Sequence, residues 1–516
     1  MPRSPVRLEF LTVLDRLIRG ARVFDGERLL EGITVGLQEG RIAHLAREPA
    51  PALAVTEAQG ALLAPAFIDS HNHADFHVLH QGNDALSALS QGVGALVVGN
   101  CGMSATPQGS PDPVLLPAQD DSCVGLAEHA RRLGAGLPLH VGDLLGHGTL
   151  RTHVLGAPRA AQSAEVDRMA GLLAEFLSGG GLGLSVGLNY PSAVGTARQE
   201  LLALCRVLAR HGRPLACHIR DQAAGIREAV DEVLGLGEET GCKVIVSHLR
   251  PISDRFNDQL GGILKRIESS AQFAMDLYPY VAGFTSLAWF FQHILKRLPS
   301  AEDRFDAREV WELGRAVCIG SLADVRLLRH RNEAYLGRSI TDIAAEKGVE
   351  PGLAAQEIYS EDPQCLCIFD HQSVPEIVEQ VLRHPRCLIG SDGYLFSSGE
   401  QPLCHPRNYA AFTGFLVRYV RSGRIPLEEG LRKMTSRTAD FFSLKDLGRI
   451  RLGASANLVL FRLEELEERA SYAQPAQPAA GTREVILEGR TVYDGRRPLG
   501  LKPGRRLRPE LAGHKA

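Results

Sequence analysis

The chain has 516 residues, of which 44% are hydrophobic and 23% charged, and its formal net charge is −3. These totals are typical of a globular protein with one large and one smaller domain. The charge balance argues against a nucleic-acid-binding protein, which needs a basic face or arm. No run approaches about 18 uncharged apolar residues, so we expect no membrane-spanning helix.

The cysteines and the chain ends indicate a cytoplasmic protein. Ten cysteines are spread without a C-x-x-C pair, and a chain of this length needs no disulfide framework. Residues 1–13 include Glu9 and lack a small-residue cleavage site, which is not typical of a signal peptide. We expect the basic run at residues 505–508 to be a solvated tail. The oligomeric state stays open.

Two similar hairpin sequences stand at opposite ends of the chain. Residues 17–26 and 486–495 share the pattern Gly-x-x-Val-aromatic-Asp-Gly, and Asp-Gly after a strand-like run is a strong hairpin signal. We therefore predict that residues 1–64 and about 447–516 fold together into a small discontinuous β-sandwich domain. A Pro/Ala-rich loop at residues 474–481 interrupts its second part.

Between these ends, strand-like runs alternate with helical patterns, which is typical of a parallel α/β fold. The nine runs are residues 66–71, 95–99, 137–141, 183–188, 215–218, 244–248, 273–277, 365–369 and 387–391. A (β/α)8 TIM-like barrel needs eight. We predict a catalytic barrel over residues 65–446 and assign the run at 365–369 to an insertion at about 290–369. Thr196-x-x-Gln199 reads as a capping box for a helix that ends at Gly212.

Several strand ends carry residues that can bind a metal. The first ends in an H-x-H motif, whose two imidazoles project to the same side of an extended chain. The candidates are His71, His73, Cys101, His218, His248 and Asp392. Each alone has an ordinary explanation as a core histidine, a buried thiol or an Asp-Gly turn. Because the carboxyl ends of barrel strands meet on one face, we expect the six side chains to form one metal site.

This pattern resembles the amidohydrolase superfamily and, within it, the N-acyl-D-amino-acid deacylases (D-aminoacylases). The resembling segments are Phe67-Ile-Asp-Ser-His-Asn-His73, Val98-Gly-Asn-Cys-Gly102, Gly146-His-Gly-Thr-Leu150, Gly187-Leu-Asn-Tyr190, Ser247-His248, Tyr278-Pro-Tyr280, Gly390-Ser-Asp-Gly393 and His405-Pro-Arg407. The resemblance implies a zinc-dependent hydrolase that cleaves the amide bond of N-acyl-D-amino acids, or of a related N-acyl compound.

The lysine distribution separates two groups within the superfamily. Cyclic-amide hydrolases of the hydantoinase and dihydroorotase type typically bridge two metals with a carboxylated lysine between the H-x-H motif and the third histidine. This chain has no lysine before Lys243, and Cys101 is the obvious replacement, as in the D-aminoacylases. A bridging glutamate is the alternative, but its candidates all lie in helical patterns. They are Glu165, Glu175 and Glu200.

The donor set favours zinc, since a thiolate with imidazoles selects a borderline-soft ion over magnesium or manganese. By the resemblance, a tight zinc site consists of Cys101, His218 and His248. A second, weaker site is lined by His71, His73 and Asp392. A metal-bound hydroxide then attacks the scissile carbonyl.

The resemblance also suggests roles for residues around the metal. Asp392 is the expected general base, which later protonates the leaving amine. Arg407 matches the family's carboxylate-binding arginine, while Arg250 stands where the family usually has lysine. The hydroxyls of Tyr190 and Tyr280 either support the oxyanion or substrate, or belong to ordinary core tyrosines.

Three interpretations stay open. The first is the deacylase of N-acyl-D-amino acids, the second an amidohydrolase that opens a cyclic amide or imide, and the third a metal-free scaffold that kept the barrel. The loop at residues 393–404 is a few residues longer than in the family, so the depth of the pocket is expected to differ. The sequence leaves open the acyl group, the side chain and the number of metal ions.

Overall fold

A computed structural model describes residues 13–108, 124–134, 136–289 and 322–510, together with residues 291, 303, 306, 308–310 and 312. Its centre is a sheet of eight parallel strands. The barrel strands, first to eighth, are Phe67–Asp69, Val93–Val98, His140–Gly146, Gly183–Gly187, Leu215–His218, Val244–Val246, Phe273–Leu277 and Cys387–Ile389. Apart from buried polar residues such as Asp143 and Asp276, these strands are nearly continuous apolar runs, because helices cover the outside of a parallel barrel.

The sheet closes into a barrel between the eighth and first strands. The Ser70 N–H donates to the carbonyl of Ile389 at 3.2 Å, and the His73 N–H donates to the carbonyl of Gly393 at 2.7 Å. The predicted (β/α)8 barrel is therefore confirmed, and its carboxyl-end face gathers the strand ends that carry the candidate ligands.

The α-helices of the described residues include those that surround the barrel. They are Leu86–Leu89, Leu126–Leu133, His147–Leu155, Ser163–Ser178, Arg198–His211, Ile226–Thr240, Leu260–Glu268, Ile340–Lys347, Pro351–Glu361, Pro375–Arg383, Arg407–Phe415, Leu427–Met434 and Ser436–Phe441. In the described part of the chain, every helix is too short or too polar to cross a bilayer.

Two local predictions differ from the structure. The capping box at Thr196 is wrong: the helix begins at Arg198 after Ala197, without a side-chain cap, and ends as predicted at Gly212. The third barrel strand was predicted at 137–141 but occupies His140–Gly146. The Asp143 carboxylate is buried and ion-paired, so the strand continues through this charged residue.

The partner of Asp143 corrects a third prediction. Arg506 binds its carboxylate through two nitrogens, at 2.9 and 2.8 Å, and Leu507 is buried. The backbone of this segment pairs with residues 137 and 141. The basic run at 505–508 is therefore not a solvated tail, because part of it packs against the third barrel strand.

Both ends of the chain contribute to one β-sandwich. A four-stranded sheet contains Leu14–Arg19, Thr34–Gln38, Arg41–Ala46 and Ala52–Glu57, and a six-stranded sheet contains Arg22–Phe24, Leu29–Leu30, Leu62–Pro65, Leu458–Phe461, Thr482–Leu487 and Arg490–Tyr493. Side chains of both sheets share one buried core that includes Ile18, Val35, Leu63 and Leu458. The domain limits at residues 64 and 447 stay predictions.

The two Asp-Gly motifs form the same turn. Asp25 Oδ1 accepts from the N–H groups of Glu27 and Arg28, both at 2.8 Å. Asp494 Oδ1 accepts in the same way from residues 496 and 497, both at 2.9 Å. Both turns belong to the six-stranded sheet, on hairpins at its opposite ends.

The ninth strand-like run belongs to a small separate sheet. Leu366–Phe369 pairs antiparallel with Gly283–Ser286 and with Val325–Arg329. Most of residues 290–321, which begin the predicted insertion at 290–369, lie outside the described residues. The strand Gly283–Ser286 of this sheet lies at the carboxyl end of the barrel, since Phe284 and Thr285 line a cavity there together with His218 and Asp392.

Candidate active site

The six candidate ligands meet at the carboxyl end of the barrel, where all six are buried. Three of them have a left-handed backbone, with φ of 53° at Cys101, 34° at His248 and 51° at Asp392. This conformation is unfavourable for non-glycine residues, and strained positions of this kind cluster at active sites. All three residues lie within three positions of the end of a barrel strand.

The ligand atoms fall into two groups that share one thiol. Cys101 forms a group with His218 and His248, and another with His71 and His73, with all ligand atoms of a group within 4.8 Å of one another. Its Sγ lies 3.5 Å from His248 Nε2 and 3.4 Å from His71 Nε2. The structure thus brings together both predicted sets, with Cys101 between them.

Asp392 closes the second group. Its Oδ1 lies 3.1 Å from His73 Nε2 and 3.5 Å from His71 Nε2, while its Oδ2 lies 2.7 Å from Arg407 Nη1. Burial alone raises the pKa of Asp392, but the charge of Arg407 and the bond with His73 outweigh it and hold the pKa well below its ordinary value. Asp392 is therefore a carboxylate that faces the histidines on one side and an arginine on the other.

The donor set fits a zinc ion. Neither ring nitrogen of the buried His218 has a hydrogen-bond partner among the described residues, although buried polar atoms are nearly always paired. The surrounding imidazoles, His71 above all, lower the pKa of the Cys101 thiol well below its ordinary value, against the opposing effect of burial. A thiolate beside unpaired imidazole nitrogens is the donor set of zinc sites.

One aspartate that the sequence analysis missed positions two of the ligands. Asp276, in the seventh barrel strand, lies with Oδ2 3.2 Å from His71 Nδ1, and its Oδ1 accepts from the His248 N–H at 2.8 Å. Carboxylates behind a metal-binding histidine fix the ring and its tautomer. The signal in the sequence that could have identified Asp276 is the presence of a charged residue inside an otherwise apolar strand.

A second missed aspartate joins the first and eighth strands. Asp69 accepts from the Ser391 N–H at 2.8 Å, from the Ser391 hydroxyl at 2.5 Å and from Asn72 Nδ2 at 3.0 Å. Its burial raises its pKa to about 6 despite these bonds. Asp69 thus fixes the H-x-H loop relative to the loop that carries Asp392.

The loop of Cys101 fits its neighbours only with glycine at two positions. A Cβ on Gly102 would lie 2.7 Å from the backbone nitrogen of Gly187, and one on Gly187 would lie 2.2 Å from the carbonyl of Cys101. The Gly102 N–H also donates to the Ser185 hydroxyl at 2.9 Å. This close approach of backbone to backbone holds Cys101 at the centre of the site.

A cavity with about 600 Å³ of empty space, counting its open mouth, adjoins these ligands. Three of the four predicted substrate-binding residues line it: Tyr190, Arg250 and Arg407. Arg407 is buried, and its Nε and Nη1 make no hydrogen bond within the described residues, although Nη1 is ion-paired with Asp392.

Two of the predicted substrate-binding residues, Tyr280 and Arg250, have partners within the protein. The Tyr280 hydroxyl donates to Glu468 Oε1 at 2.7 Å, and Tyr280 does not line the cavity. Arg250 donates to the carbonyls of Tyr280 and Ala282 at 2.5 and 2.9 Å, and to the Tyr278 hydroxyl at 2.9 Å. Tyr278 lines the cavity in place of Tyr280, and the sequence analysis had not singled it out.

Comparison with known proteins gives near full-length matches. The chain is 31% identical to N-acyl-D-glutamate deacylase and 30% identical to D-aminoacylase, both of Alcaligenes xylosoxydans xylosoxydans, over 97% and 96% of this chain and 97% of each relative. An amidohydrolase family model matches residues 340–493. The chain belongs to the N-acyl-D-amino-acid deacylase family. As a member of this amidohydrolase family, it is a metal-dependent hydrolase of C–N bonds.

Solved structures of the deacylase family share the fold. The N-acyl-D-glutamate deacylase of Bordetella bronchiseptica, solved with zinc and a phosphonate inhibitor, matches with a TM-score of 0.83 and 29% identity, over 96% of this chain and 100% of that one. A D-aminoacylase with a binuclear metal centre, activated by one metal and attenuated by the second, matches with a TM-score of 0.83 and 28% identity over the same shares. An L-hydantoinase of Arthrobacter aurescens, at 13% identity and a TM-score of 0.59 over 96% of this chain and all of that one, shares the fold alone.

The glutamates weighed as alternative bridges of this deacylase-family chain lie elsewhere. Glu200 is buried against Arg151 and His147, at 2.6 and 2.7 Å. Glu165 pairs with Arg159 at 2.6 Å, and Glu175 is exposed on the helix Ser163–Ser178. None of the three belongs to the ligand groups found among the described residues.

Proposed function

We propose that this protein is a zinc-dependent deacylase that hydrolyses N-acyl-D-amino acids to a carboxylic acid and a free amine. The observation that carries the proposal is the Cys101 thiol shared between two histidine groups, beside a carboxylate paired with a buried arginine. This arrangement offers metal ligands, a proton acceptor and an anion site within one cavity.

Two sites of unequal affinity follow from the donors. Cys101, His218 and His248 would hold the tight zinc ion, since thiolate and neutral imidazole bind it best. His71, His73 and Asp392 would line the weaker site. When bound, zinc lowers the pKa of a coordinated water to about 7 and polarises the scissile carbonyl.

Asp392 is proposed as the general base and acid. Its Oδ1 faces the histidines at 3.1 and 3.5 Å, where it can take a proton from the attacking water and return it to the leaving amine. Arg407 and His73 hold its pKa well below its ordinary value, so Asp392 is ionised at neutral pH.

Arg407 is proposed to bind the substrate carboxylate, because a guanidinium fork matches a carboxylate in two hydrogen bonds. Its buried guanidinium lines the cavity, and one side of it pairs with Asp392. We do not propose the same for Arg250, whose three bonds fix residues 278–282. The Tyr190 ring, 4.8 Å from that of His218, is proposed to support the substrate near the scissile bond.

Opening of a cyclic amide is the second candidate. The shared fold with hydantoinases favours it, while the absence of lysine before Lys243 speaks against the carboxylated-lysine bridge of those enzymes. A cyclic substrate has no free carboxylate for Arg407.

The eight cysteines that the structure describes are all buried, and a chain of this length needs no disulfide framework, so we extend the proposal to a reducing compartment such as the cytoplasm. Its partner in this proposal is a small-molecule substrate.

The test is a side-by-side assay of N-acetyl-D- and N-acetyl-L-amino acids and of a hydantoin, with metal analysis of the same preparation. We expect one to two zinc ions per chain and hydrolysis of the D series. Hydrolysis of the hydantoin in preference to every N-acetyl amino acid would overturn the proposal.

A further inference from the structure

The histidines of the two ligand groups differ in the group that stands behind each ring. Asp276 lies behind His71, with Oδ2 3.2 Å from Nδ1, and a carboxylate only accepts hydrogen bonds. Neither ring nitrogen of His218 has a partner among the described residues. Behind His248 stands the side-chain amide of Gln222, whose nitrogen lies 3.3 Å from Nδ1. An amide both donates and accepts, so Gln222 has two ways to meet this ring.

Hydrogen bonds of its loop hold Gln222 against His248. The residue follows the fifth barrel strand, in a loop where Asp221 Oδ1 accepts from the Ala223 N–H at 2.6 Å. The backbone carbonyl of Gln222 accepts from the Ile252 N–H at 2.8 Å, which ties this loop to the one that carries His248. Gln222 is buried and lines the catalytic cavity. The loop structure therefore keeps the amide at the His248 ring.

The ring of His248 must present a bare nitrogen to bind a metal ion. Its Nε2 lies 3.5 Å from Cys101 Sγ, so Nε2 is the atom that faces the proposed tight site. A neutral imidazole carries one proton, and a bare Nε2 requires that this proton is on Nδ1. The Nδ1–H group then needs an acceptor, and the polar group beside it is the amide of Gln222.

In the orientation that the structure shows, the amide nitrogen of Gln222 approaches two acceptors of His248. It lies 3.3 Å from Nδ1 and donates to the backbone carbonyl of the same residue at 3.3 Å. Donation to Nδ1 places the ring proton on Nε2, where it blocks metal binding. A half-turn of the amide exchanges its nitrogen and oxygen, so that Oε1 accepts from Nδ1–H and the bond to the carbonyl is lost. The two amide orientations therefore correspond to two tautomers of His248, one of which binds metal.

We propose that Gln222 is a positioning residue whose amide sets the tautomer of His248 and so moderates the zinc affinity of the tight site. The inference rests on the proposed zinc site of Cys101, His218 and His248. Groups that accept a hydrogen bond from a metal-bound histidine change metal affinity by roughly 10- to 100-fold. A carboxylate at position 222 would hold the metal-binding tautomer, whereas an aliphatic side chain would leave Nδ1–H without an acceptor.

The test measures the zinc dissociation constant by competition with a chelator of known affinity. Gln222→Leu should bind zinc roughly 10- to 100-fold more weakly than wild type, and Gln222→Glu roughly tenfold more tightly. Wild-type affinity in both variants would overturn the inference and leave the zinc site intact. Wild-type protein that does not bind zinc would instead reject the proposed site, and the inference with it.

The negative charge of a new carboxylate attracts zinc by itself, and Gln372→Glu is the matched control for this effect. Gln372 is buried, lines the same cavity and packs its side chain against Gly283. It is not a member of the ligand groups found among the described residues. We expect Gln372→Glu to gain clearly less zinc affinity than Gln222→Glu. Equal gains in the two variants would assign the effect to charge and overturn the inference.

A purely structural role of Gln222 predicts a different order of affinities. If the amide only joins the two loops through the His248 carbonyl, Gln222→Glu loses that donor and should bind zinc as weakly as Gln222→Leu. That result would overturn the inference, since only control of the tautomer makes the glutamate variant tighter than wild type. Thermal melts of the zinc-free proteins verify folding. Because glutamate has nearly the size of glutamine, Gln222→Glu tests the inference even if Gln222→Leu does not fold.

Discussion

Arg407 Nη1 lies 2.7 Å from Asp392 Oδ2, and both side chains are buried. The pair joins the proposed proton acceptor to the proposed carboxylate site. Because each residue has a separate proposed role, substitutions at the two positions should change different kinetic properties.

Cys101→Ala should lose the tightly bound zinc. The thiolate is the one ligand common to both groups, so its removal leaves imidazoles and a carboxylate that bind zinc more weakly. Zinc content after dialysis, measured by mass spectrometry, tests this. Cys365→Ala, which removes another buried thiol far along the chain, is the control and should retain zinc. Full zinc occupancy in Cys101→Ala would make this thiol an ordinary core residue.

Asp392→Asn should lower kcat by roughly 10²–10⁴ while the tight zinc remains. Asparagine has nearly the same size but cannot accept the proton from water. Steady-state kinetics and zinc analysis of one preparation provide the measurement, and a thermal melt verifies folding. Activity within tenfold of wild type would assign the proton transfer to another group.

Arg407→Met should lower kcat/KM for an N-acyl amino acid by roughly 10- to 150-fold, because a charge-assisted hydrogen bond contributes about 1.5–3 kcal/mol. The corresponding amino-acid amide lacks the carboxylate, so its kcat/KM should change little. Equal losses on both substrates would mean that Arg407 is structural and would strengthen the cyclic-amide alternative.

Arg250→Lys is the comparison for that variant. Arg250 holds residues 278–282 by three hydrogen bonds, and an ammonium group cannot reproduce the planar fork that makes them. The thermal midpoint should therefore fall, with equal losses of kcat/KM for the acid and the amide. A loss of kcat/KM for the acid alone would indicate that Arg250 binds the substrate carboxylate.

Glu200→Gln should destabilise the fold without loss of zinc. Burial raises the pKa of Glu200, but His147 and Arg151 outweigh this effect and hold the pKa below its ordinary 4.5. A lowered carboxylate pKa adds stability at pH values above the unfolded-state pKa, and that stability disappears as the pH falls through the folded-state pKa. The free energy of unfolding of Glu200→Gln should thus be about 3 kcal/mol lower than that of wild type at pH 7. This difference in stability should become smaller below about pH 4.5.

Thermal melts of Glu200→Gln and wild type at pH 7 and at pH 4 measure this difference in stability. Metal analysis of the same preparations measures their zinc content. A constant difference at both pH values would contradict the ion-pair origin of the stability. Loss of zinc from the variant at neutral pH would support the hypothesis that Glu200 bridges two metal ions, which its position in the structure argues against.

The sequence by itself determined the barrel, the shared domain of the two termini and the six candidate ligands. These features are local: apolar runs alternate with helical patterns, and the ligands directly follow those runs, as at His218 and His248. Parallel strands in one barrel end on one face, so position along the chain is enough to predict convergence there.

Only the tertiary structure decided which partner each side chain meets. Asp276 lies more than two hundred residues from His71, and Arg506 lies more than three hundred from Asp143. Tyr280 is directed to Glu468 although it follows the cavity residue Tyr278 by two positions. The direction of a side chain beyond a strand end depends on the dihedral angles of the loop and on distant atoms packed against it. Neither has a periodic signature in the sequence.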